Sequence, residues 1–599
     1  MKKIYMSEKT RELASKIKEE CMGKEDAFCV SRCPMSTDVK GYVHLIAEGD
    51  YEAAIKLIRD KLFLPNTLGH ICAHPCEVEC RRNREFNKPI AIAALKRFAA
   101  EQADDERLWD ISTADATGKN VAIIGFGPAG AQAALDLAKS GQKVTVYEKN
   151  ENSGGMLRYG IPAYRLPKDI LDFEYSILDK IGIEVRYNCE VGKDISFEKI
   201  KKSYDAVIIA IGAQKGSIIK MNGSDSEDVF SATEFLGHIS REGTFEKAGE
   251  HIVVIGGGDV AMDCIRSAIR LPQVTEVRQC SLESEEILPA SLTEKEEALE
   301  EGMLPNFGFG PQEIITENGR VKAVKVKNVV SIFDENHRFA PAYGEEERTL
   351  TADTVIMATG QAVADVTNGM LEQKGGGRYV VDADTLQTSD EKIFVAGDAA
   401  GGKIVVEAMA LGRKAAISVD RFLTGQDLLE NRDLKKEWIY DTKLDIPLPA
   451  GTEDLPRVQK HLRPINERIC DFNESDSGMS EEDALAEAKR CLQCTCKLCF
   501  SECVMLDQSD TAPVEVAERI VNDSTVDVNL SYYCNDCDSC KTVCPKELPI
   551  KEMFMETRND IVRASNGTSP LKGHRAVHIQ QELGFSELFT TRAKGGIYE

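Results

Sequence analysis

NVAIIGFGPAGAQAALDLAKSGQKVTVYEKN, running from Asn120 to Asn150, decides the fold of this chain. A short apolar run, NVAII, leads into a glycine turn; a helical apolar spacing follows, and a second apolar run ends at Glu148. Strand, turn, helix and strand in that order open a parallel βαβ unit. Within the turn, Gly125-x-Gly127-x-x-Gly130 has dinucleotide-loop spacing. The first glycine permits the tight turn, the second lets the backbone approach a pyrophosphate, and the third lets helix and strand pack closely. The helix N-terminus then faces the anion with unpaired N–H groups and the positive end of its dipole. Glu148 closes the next strand, where a carboxylate reaches ribose hydroxyls.

Outward from this stretch, HIVVIGGGDVAMDCIRSAIRL begins the same pattern again at His251, with Gly256-x-Gly258-x-x-Ala261 as its turn. YDAVIIAIGA and TADTVIMATG each end a strand in a glycine turn. Before Asn120 the texture is helical, as in GYVHLIAEGDYEAAIKLI and PIAIAALKRFAAE, with cysteines in the intervening turns. At 599 residues the chain exceeds one core and predicts a multidomain α/β protein. The expected parts are an N-terminal helical iron–sulfur domain over 1–115 and two nested Rossmann-like domains. The first of these covers 116–249 and 356–425 and carries the first loop; the second covers 250–355 and carries the second loop. A polar, Pro-punctuated linker over 426–483 and an α-helical ferredoxin-like domain with a helical tail over 484–599 complete the chain.

A formal charge of −25 excludes nucleic acid as a partner, because a polyanion needs a cationic face. No apolar run reaches membrane-span length, and MKKIYMSEKTRELASKIKEE has no apolar core of signal-peptide length. A cytoplasmic protein without membrane contact is therefore expected. Thiols stay reduced there, so clustered cysteines point to metal rather than disulfides.

Fifteen of the nineteen cysteines stand in two packets. The first is Cys21, Cys29, Cys33, Cys72, Cys76 and Cys80; the second is Cys491, Cys494, Cys496, Cys499, Cys503, Cys534, Cys537, Cys540 and Cys544. Cys534-x2-Cys537-x2-Cys540-x3-Cys544-Pro545 has bacterial ferredoxin spacing. Three near cysteines bind one cubane, and the fourth, before proline, reaches across to the other. A zinc ribbon would instead show paired knuckles without the Cys-Pro end. In the partner run, Cys496-x2-Cys499-x3-Cys503 keeps the ferredoxin frame, but the leading cysteine falls at Gln493. Cys494 or Cys491 is expected to fill that place, leaving one spare thiol. Two [4Fe–4S] clusters follow, with Cys503 and Cys544 crossing over. This C-terminal segment resembles the ferredoxin-like part of heterodisulfide-reductase-type subunits.

SGGMLRYGIPAYRLPKD (Ser153–Asp169) and IFVAGDAAGGKIVVEAMALGRKAA (Ile393–Ala416) resemble the flavin segments of the glutamate synthase small-subunit family. That family includes the N-terminal half of dihydropyrimidine dehydrogenase and the large subunit of bifurcating NADH-dependent ferredoxin:NADP oxidoreductase. The resemblance covers roughly residues 20–425 and implies FAD at the first loop, contacted also by Gly155, Arg158, Gly397 and Asp398. Arg165 and Lys168 read either as surface charges or as substrate-side groups. In the family, arginines after the second loop clamp the NADPH 2′-phosphate; here VRQCSLESEEILPA puts Leu282 and Glu283 in their places. A carboxylate repels a phosphate and accepts from a 2′-hydroxyl, so NAD(H) is expected ahead of NADP(H), with Arg278 the alternative clamp.

The family's ligand pairing implies one N-terminal site of Cys21, Cys29 and Cys80 and another of Cys33, Cys72 and Cys76. Each lacks a fourth ligand, because Lys24 and Lys96 stand at those positions. One or two N-terminal clusters with incomplete cysteine ligation follow. They would be [3Fe–4S], or [4Fe–4S] completed by an exogenous group or by Glu25 or Asp26; zinc is the alternative. A protonated lysine does not ligate, but its charge raises a cluster's potential. Cys189, Cys264, Cys280 and Cys470 read as plain thiols.

Taken together, the motifs predict an NAD(P)H-dependent FAD iron–sulfur oxidoreductase subunit. It would pass electrons between NADH, FAD and the clusters, to or from a ferredoxin or another redox subunit of a hetero-oligomeric complex. Electron bifurcation is one form this could take. The alternatives are a glutamate synthase small subunit feeding an amidotransferase partner, and a non-catalytic electron relay. No catalytic side chain is singled out.

Overall fold

Parallel pairing around Asn120–Ile124 organises the first dinucleotide unit. The computed structural model describes residues 1–24, 27–430, 432, 448, 451–494, 496, 498–544, 546–584 and 586. In it, this strand lies between Lys143–Tyr147 and Ala206–Ile209, with Glu184–Arg186 and Ile393–Val395 at the two edges. All four pairings are parallel. The strands are near-continuous apolar runs because both faces are covered. Helix Pro128–Lys139 is alanine-rich, and helix Val405–Thr424 crosses it closely. A Cβ on Gly412 would lie 2.2 Å from the Ala129 carbonyl oxygen, so that crossing requires glycine.

The second unit is a four-stranded parallel sheet in the order Val229–Ser231, Thr354–Met357, His251–Ile255 and Glu276–Cys280. Its bounds differ from the expected 250–355, since it takes Val229–Ser231 from before that range and extends to Met357. Period-2 alternation sorts its central strand: Ile252 and Val254 pack with Met262, Ile265 and Phe235 on the helical face. Val253 and Ile255 pack with Ile314, Val324 and Leu350 on the other. That second cover is the antiparallel sheet Phe309–Glu317, Arg320–Phe333 and Phe339–Thr351.

A buried ionic network crosses the helical side of this sheet. Arg266, fully buried, meets Glu294 at 2.7 Å, Glu297 at 2.8 Å and Glu301 at 2.9 Å. Arg270 reaches Glu301 at 2.6 Å and Arg468 reaches it at 3.2 Å. The guanidinium groups of Arg266 and Arg270 lie over the Tyr164 ring. Arg165 pairs with Asp263 at 2.8 Å and Glu294 at 3.0 Å, tying the flavin-side segment to the second unit. Lys168 Nζ donates to the carbonyls of Leu157 and Ile161. Arg165 and Lys168 are thus half-buried and engaged within the fold, which corrects the reading of them as surface charges.

The chain divides into two compact units, one of residues 1–28, 437–453 and 492–599 and the other of 29–436 and 454–491. Residues 1–28 make their contacts within the first of these units. Strand Lys2–Lys3 pairs antiparallel with Thr525–Val526. On helix Glu8–Glu20, Ala14 and Ile17 pack with Leu506, Ala517, Met553 and Phe554. Much of the expected linker is likewise built into the other unit. Arg468 is 2% exposed, Glu474 pairs with Arg97 at 2.7 Å, and Arg457 pairs with Glu77 at 2.6 Å. Among the described residues no helix is long and apolar enough to cross a membrane.

Candidate functional site

Four loops converge at the carboxyl ends of the first sheet. Gly125 has φ +99°, and a Cβ there would lie 2.5 Å from the Ala210 carbonyl oxygen. Gly127 is the N-cap of helix Pro128–Lys139, which has no side-chain cap, so its first N–H groups stay available to an anion. Gly155, at φ +52°, lies against Gly127; a Cβ on it would be 2.9 Å from the Gly127 Cα. Gly397, at φ +68°, closes on Ala129 in the same way.

Glu148 is buried, and its carboxylate is held by this loop. Oε2 accepts from the Phe126 N–H at 2.8 Å, and Oε1 accepts from the backbone and side-chain nitrogens of Asn150, each at 2.8 Å. One lone pair remains on Oε2 for a ribose hydroxyl. Arg158 is differently engaged. Its Nε donates to the Ser153 carbonyl at 2.7 Å and its guanidinium pairs with Asp172, so it positions the Gly154–Gly155 turn. Burial pushes the Asp398 carboxyl above its usual range, with Arg378 acting against that, and it accepts a hydrogen bond from the Ala213 backbone. Gly212 and Ala213 thus belong to the site; their signal was the glycine turn ending YDAVIIAIGA. The side-chain-free floor at Gly127 and Gly155, with acids at both ends, fits an extended dinucleotide such as FAD.

The second loop repeats the geometry. Gly256 has φ +147°, and a Cβ there would be 2.6 Å from the Ala358 carbonyl oxygen. Gly258 caps helix Asp259–Ile269 without a side-chain bond, and a Cβ on it would meet nothing within 4 Å. Ala261 is fully buried in the helix–strand contact. Glu283 overhangs this loop, with Oε2 3.0 Å from the position of a Cβ on Gly257. Its backbone is pinned by the Gly308 N–H at 2.7 Å. Arg278, the alternative clamp, donates from Nε to Glu276 at 2.6 Å. Cys264 and Cys280 are buried, and burial pushes the Cys280 thiol up to about 12. Cys189 is half-buried and Cys470 is exposed.

In the larger unit, one cavity is lined by Cys33, Cys72, Cys76, His74, Tyr42 and Lys96. Lys96, on helix Ile92–Ala103, is 6% exposed. Burial raises the Cys72 thiol, while the Lys96 charge and the His74 N–H, 3.4 Å from Sγ, pull it down. His74 sits at φ +35°, and its Nδ1 is buried without a hydrogen-bond partner. The cavity therefore offers three thiolates, an imidazole and an ammonium. His74 escaped the sequence reading, although Cys72-x-His74-x-Cys76 carried the signal. Cys29 and Cys80 are half-buried in this unit, and Cys21 belongs to the other.

In the smaller unit the thiols fall into two groups. Cys21, Cys496, Cys499 and Cys544 line one cavity. Cys540 is pushed up to about 12 by burial and then by Cys503, Cys534 and Cys537 around it. Arg558 fastens the second group, donating to the carbonyls of Ser531, Tyr532 and Cys534. Cys491 and Cys494 are not among the described residues lining the first cavity. Glu25, Asp26 and Pro545 lie outside the described residues. Among those described, no three His, Cys, Asp or Glu side chains gather closely enough to share a single ion.

Residues 119–414 match the pyridine nucleotide-disulphide oxidoreductase family, 2–108 the dihydropyrimidine dehydrogenase domain II 4Fe-4S cluster family, and 490–549 the 4Fe-4S dicluster domain family. The beta subunit of NADP(+)-dependent formate dehydrogenase from Moorella thermoacetica is 36% identical over 507 residues, covering 78% of this chain and 70% of that protein. The glutamate synthase [NADPH] small chain of Escherichia coli (strain K12) is 32% identical over 430 residues, 68% of this chain and 90% of that one. The oxidoreductase YgfK of the same strain is 29% identical over 536 residues; 87% of this chain matches 48% of its length.

Proposed function

The chain belongs to the glutamate synthase small-chain family of FAD- and NAD(P)-dependent iron–sulfur oxidoreductases, and from the Glu283 carboxylate over its second loop we propose that it takes hydride from NADH in preference to NADPH. Its cysteine-bound clusters pass the electrons to a ferredoxin or another redox subunit of a hetero-oligomeric complex. FAD, when bound, supplies the conversion between a hydride and single electrons. Gly127 and Gly155 accept its pyrophosphate, Glu148 its adenosine ribose, and Asp398 its ribityl side.

Glu283 carries the nicotinamide preference. Its carboxylate overhangs Gly257, where a 2′-phosphate would meet like charge, and Arg278 is already engaged by Glu276. The names of two relatives specify NADP(+) and NADPH; this chain's own residues favour NADH. Like charges roughly 4 Å apart at an effective ε near 20 repel by about 4 kcal/mol before screening. Screening and relaxation to about half of that leave on the order of thirtyfold discrimination. Anaerobic flavin reduction with each cofactor tests this. NADH should be favoured by at least tenfold in the wild type, and Glu283→Arg should shift the ratio toward NADPH by roughly 100-fold. Equal rates in the wild type would refute the preference.

A cluster held by Cys33, Cys72 and Cys76 would lie under the Lys96 charge. A unit charge roughly 6 Å away at ε near 20 is worth about 3 kcal/mol, or on the order of 100 mV for one electron. Lys96→Gln is therefore expected to lower that cluster's midpoint potential by this order in an anaerobic redox titration followed by electron paramagnetic resonance. An unchanged potential would show that Lys96 does not act on a cluster.

A further inference from the structure

The ferredoxin frame of the C-terminal segment lacks its leading cysteine, because Gln493 stands there. Cys494 and Cys491 are the neighbours in sequence, yet the thiol facing Cys496, Cys499 and Cys544 comes from the other end of the chain. We propose that Cys21 is the fourth cysteine ligand of the cluster held by Cys496, Cys499 and Cys544, so that the N-terminal segment completes the C-terminal ferredoxin module. The inference rests on reading these thiols as cluster ligands.

The N-terminal helix is fixed firmly enough to deliver that ligand. The Asp560 carboxylate accepts from the Ser7 N–H at 2.9 Å and from Thr10 Oγ1 at 2.6 Å. Lys9 pairs with Glu556 at 2.5 Å, and Ala14 and Ile17 are buried in the module's core. Cys21 is the helix C-cap, with its N–H bonded to the Ile17 carbonyl at 3.0 Å, and it turns out of the helix at φ −75° and ψ 122°. A Cβ on Gly23 would lie 3.5 Å from Cys21 Sγ and 3.7 Å from the Cys496 carbonyl oxygen, so both cysteines border the space beside Gly23. Backbone N–H groups of Gly23 and Val514 donate to Cys21 Sγ. Such donors stabilise a ligating thiolate and tune its cluster. Cys496 and Cys544 lie within electrostatic range of Cys21, and Cys499 within range of all three.

Two consequences follow for the ligand ledger. The family pairing of Cys21 with Cys29 and Cys80 no longer holds, and Cys491 and Cys494 are released from the role expected of them.

The test uses the full chain purified anaerobically as wild type, Cys21→Ala, Cys496→Ala and the double variant. Iron and sulfide per chain and the electron paramagnetic resonance of the reduced protein are read. If both thiols serve one cluster, each single variant loses the same signal and up to about four irons. The double variant then loses no more than either single one, because coupled ligands are not additive. Cys494→Ala keeps the wild-type iron content. Additive losses, or wild-type iron and an unchanged spectrum in Cys21→Ala, would overturn the proposal. Should the variants prove insoluble, iron anomalous scattering from wild-type crystals decides. A peak bonded to both Cys21 and Cys496 is expected, and a peak shared by Cys21, Cys29 and Cys80 would overturn it. Wild-type protein with no iron at Cys496, Cys499 and Cys544 would instead refute the cluster reading itself.

Discussion

Gly130→Ala is expected to yield a chain that folds and carries iron but no flavin. The added methyl would lie 2.0 Å from the Gly125 carbonyl oxygen and 3.3 Å from Ile123 Cγ2. The first contact is with backbone, so no side chain can swing aside. Relief comes only by lifting helix Pro128–Lys139 from strand Asn120–Ile124 or by opening the turn. Either movement withdraws the helix N–H groups from the pyrophosphate position. Overpacking alone costs roughly 1–3 kcal/mol, and loss of aligned charge-assisted bonds to the phosphates adds a similar amount. FAD affinity should therefore fall by at least about 100-fold, from roughly 2.8 kcal/mol at 1.4 kcal/mol per tenfold. The visible flavin absorbance of purified protein reads the loss, and unchanged iron content separates it from misfolding. Full flavin occupancy would mean that the third glycine does not set this contact.

Arg266→Met is expected to destabilise the second dinucleotide unit by about 3–5 kcal/mol, the usual consequence of removing one partner from a buried ionic group. Glu294, Glu297 and Glu301 would share the remaining cations Arg165, Arg270, Arg468 and Lys460. Hydrogen exchange in strands His251–Ile255 and Thr354–Met357 should accelerate by roughly 100- to 4,000-fold if the unit opens as one body. Flavin and iron contents should hold. Arg266→Met with Glu294→Leu should recover part of the loss, because that pair is then removed together while Arg165 keeps Asp263. No recovery would show that Arg266 acts by packing against Tyr164 rather than by charge. The network also has a pH sign. Burial pushes the Glu294 and Glu301 carboxyls up, but the arginines bring both below the ordinary carboxylate range. A depressed carboxylate stabilises the fold above its unfolded pKa of about 4.3 and loses that contribution as pH falls through its folded value.

Local chemistry was readable from the chain alone. Gly125, Gly127 and Gly130 sit within six residues, so their spacing already implies the turn that brings strand and helix together. The same holds for Cys534, Cys537 and Cys540, whose short intervals leave the backbone few other ways to present three thiols. Long-range pairing was not readable. Arg165 looked free in its own segment, and only the approach of Asp263 and Glu294 made it a half-buried link. His74 needed the cavity to show that it lines the same space as Cys33, Cys72 and Cys76.

What the sequence determined by itself is the chemistry carried: two dinucleotide turns and thiols spaced for iron–sulfur clusters, because backbone geometry over a few residues dictates both. What only the tertiary structure decided is the assembly of those parts. Strand Val229–Ser231 joins the second sheet, and helix Glu8–Glu20 lies in the C-terminal module with Cys21 at its end. Such choices depend on which apolar faces bury one another across hundreds of residues. No spacing within the chain records that preference.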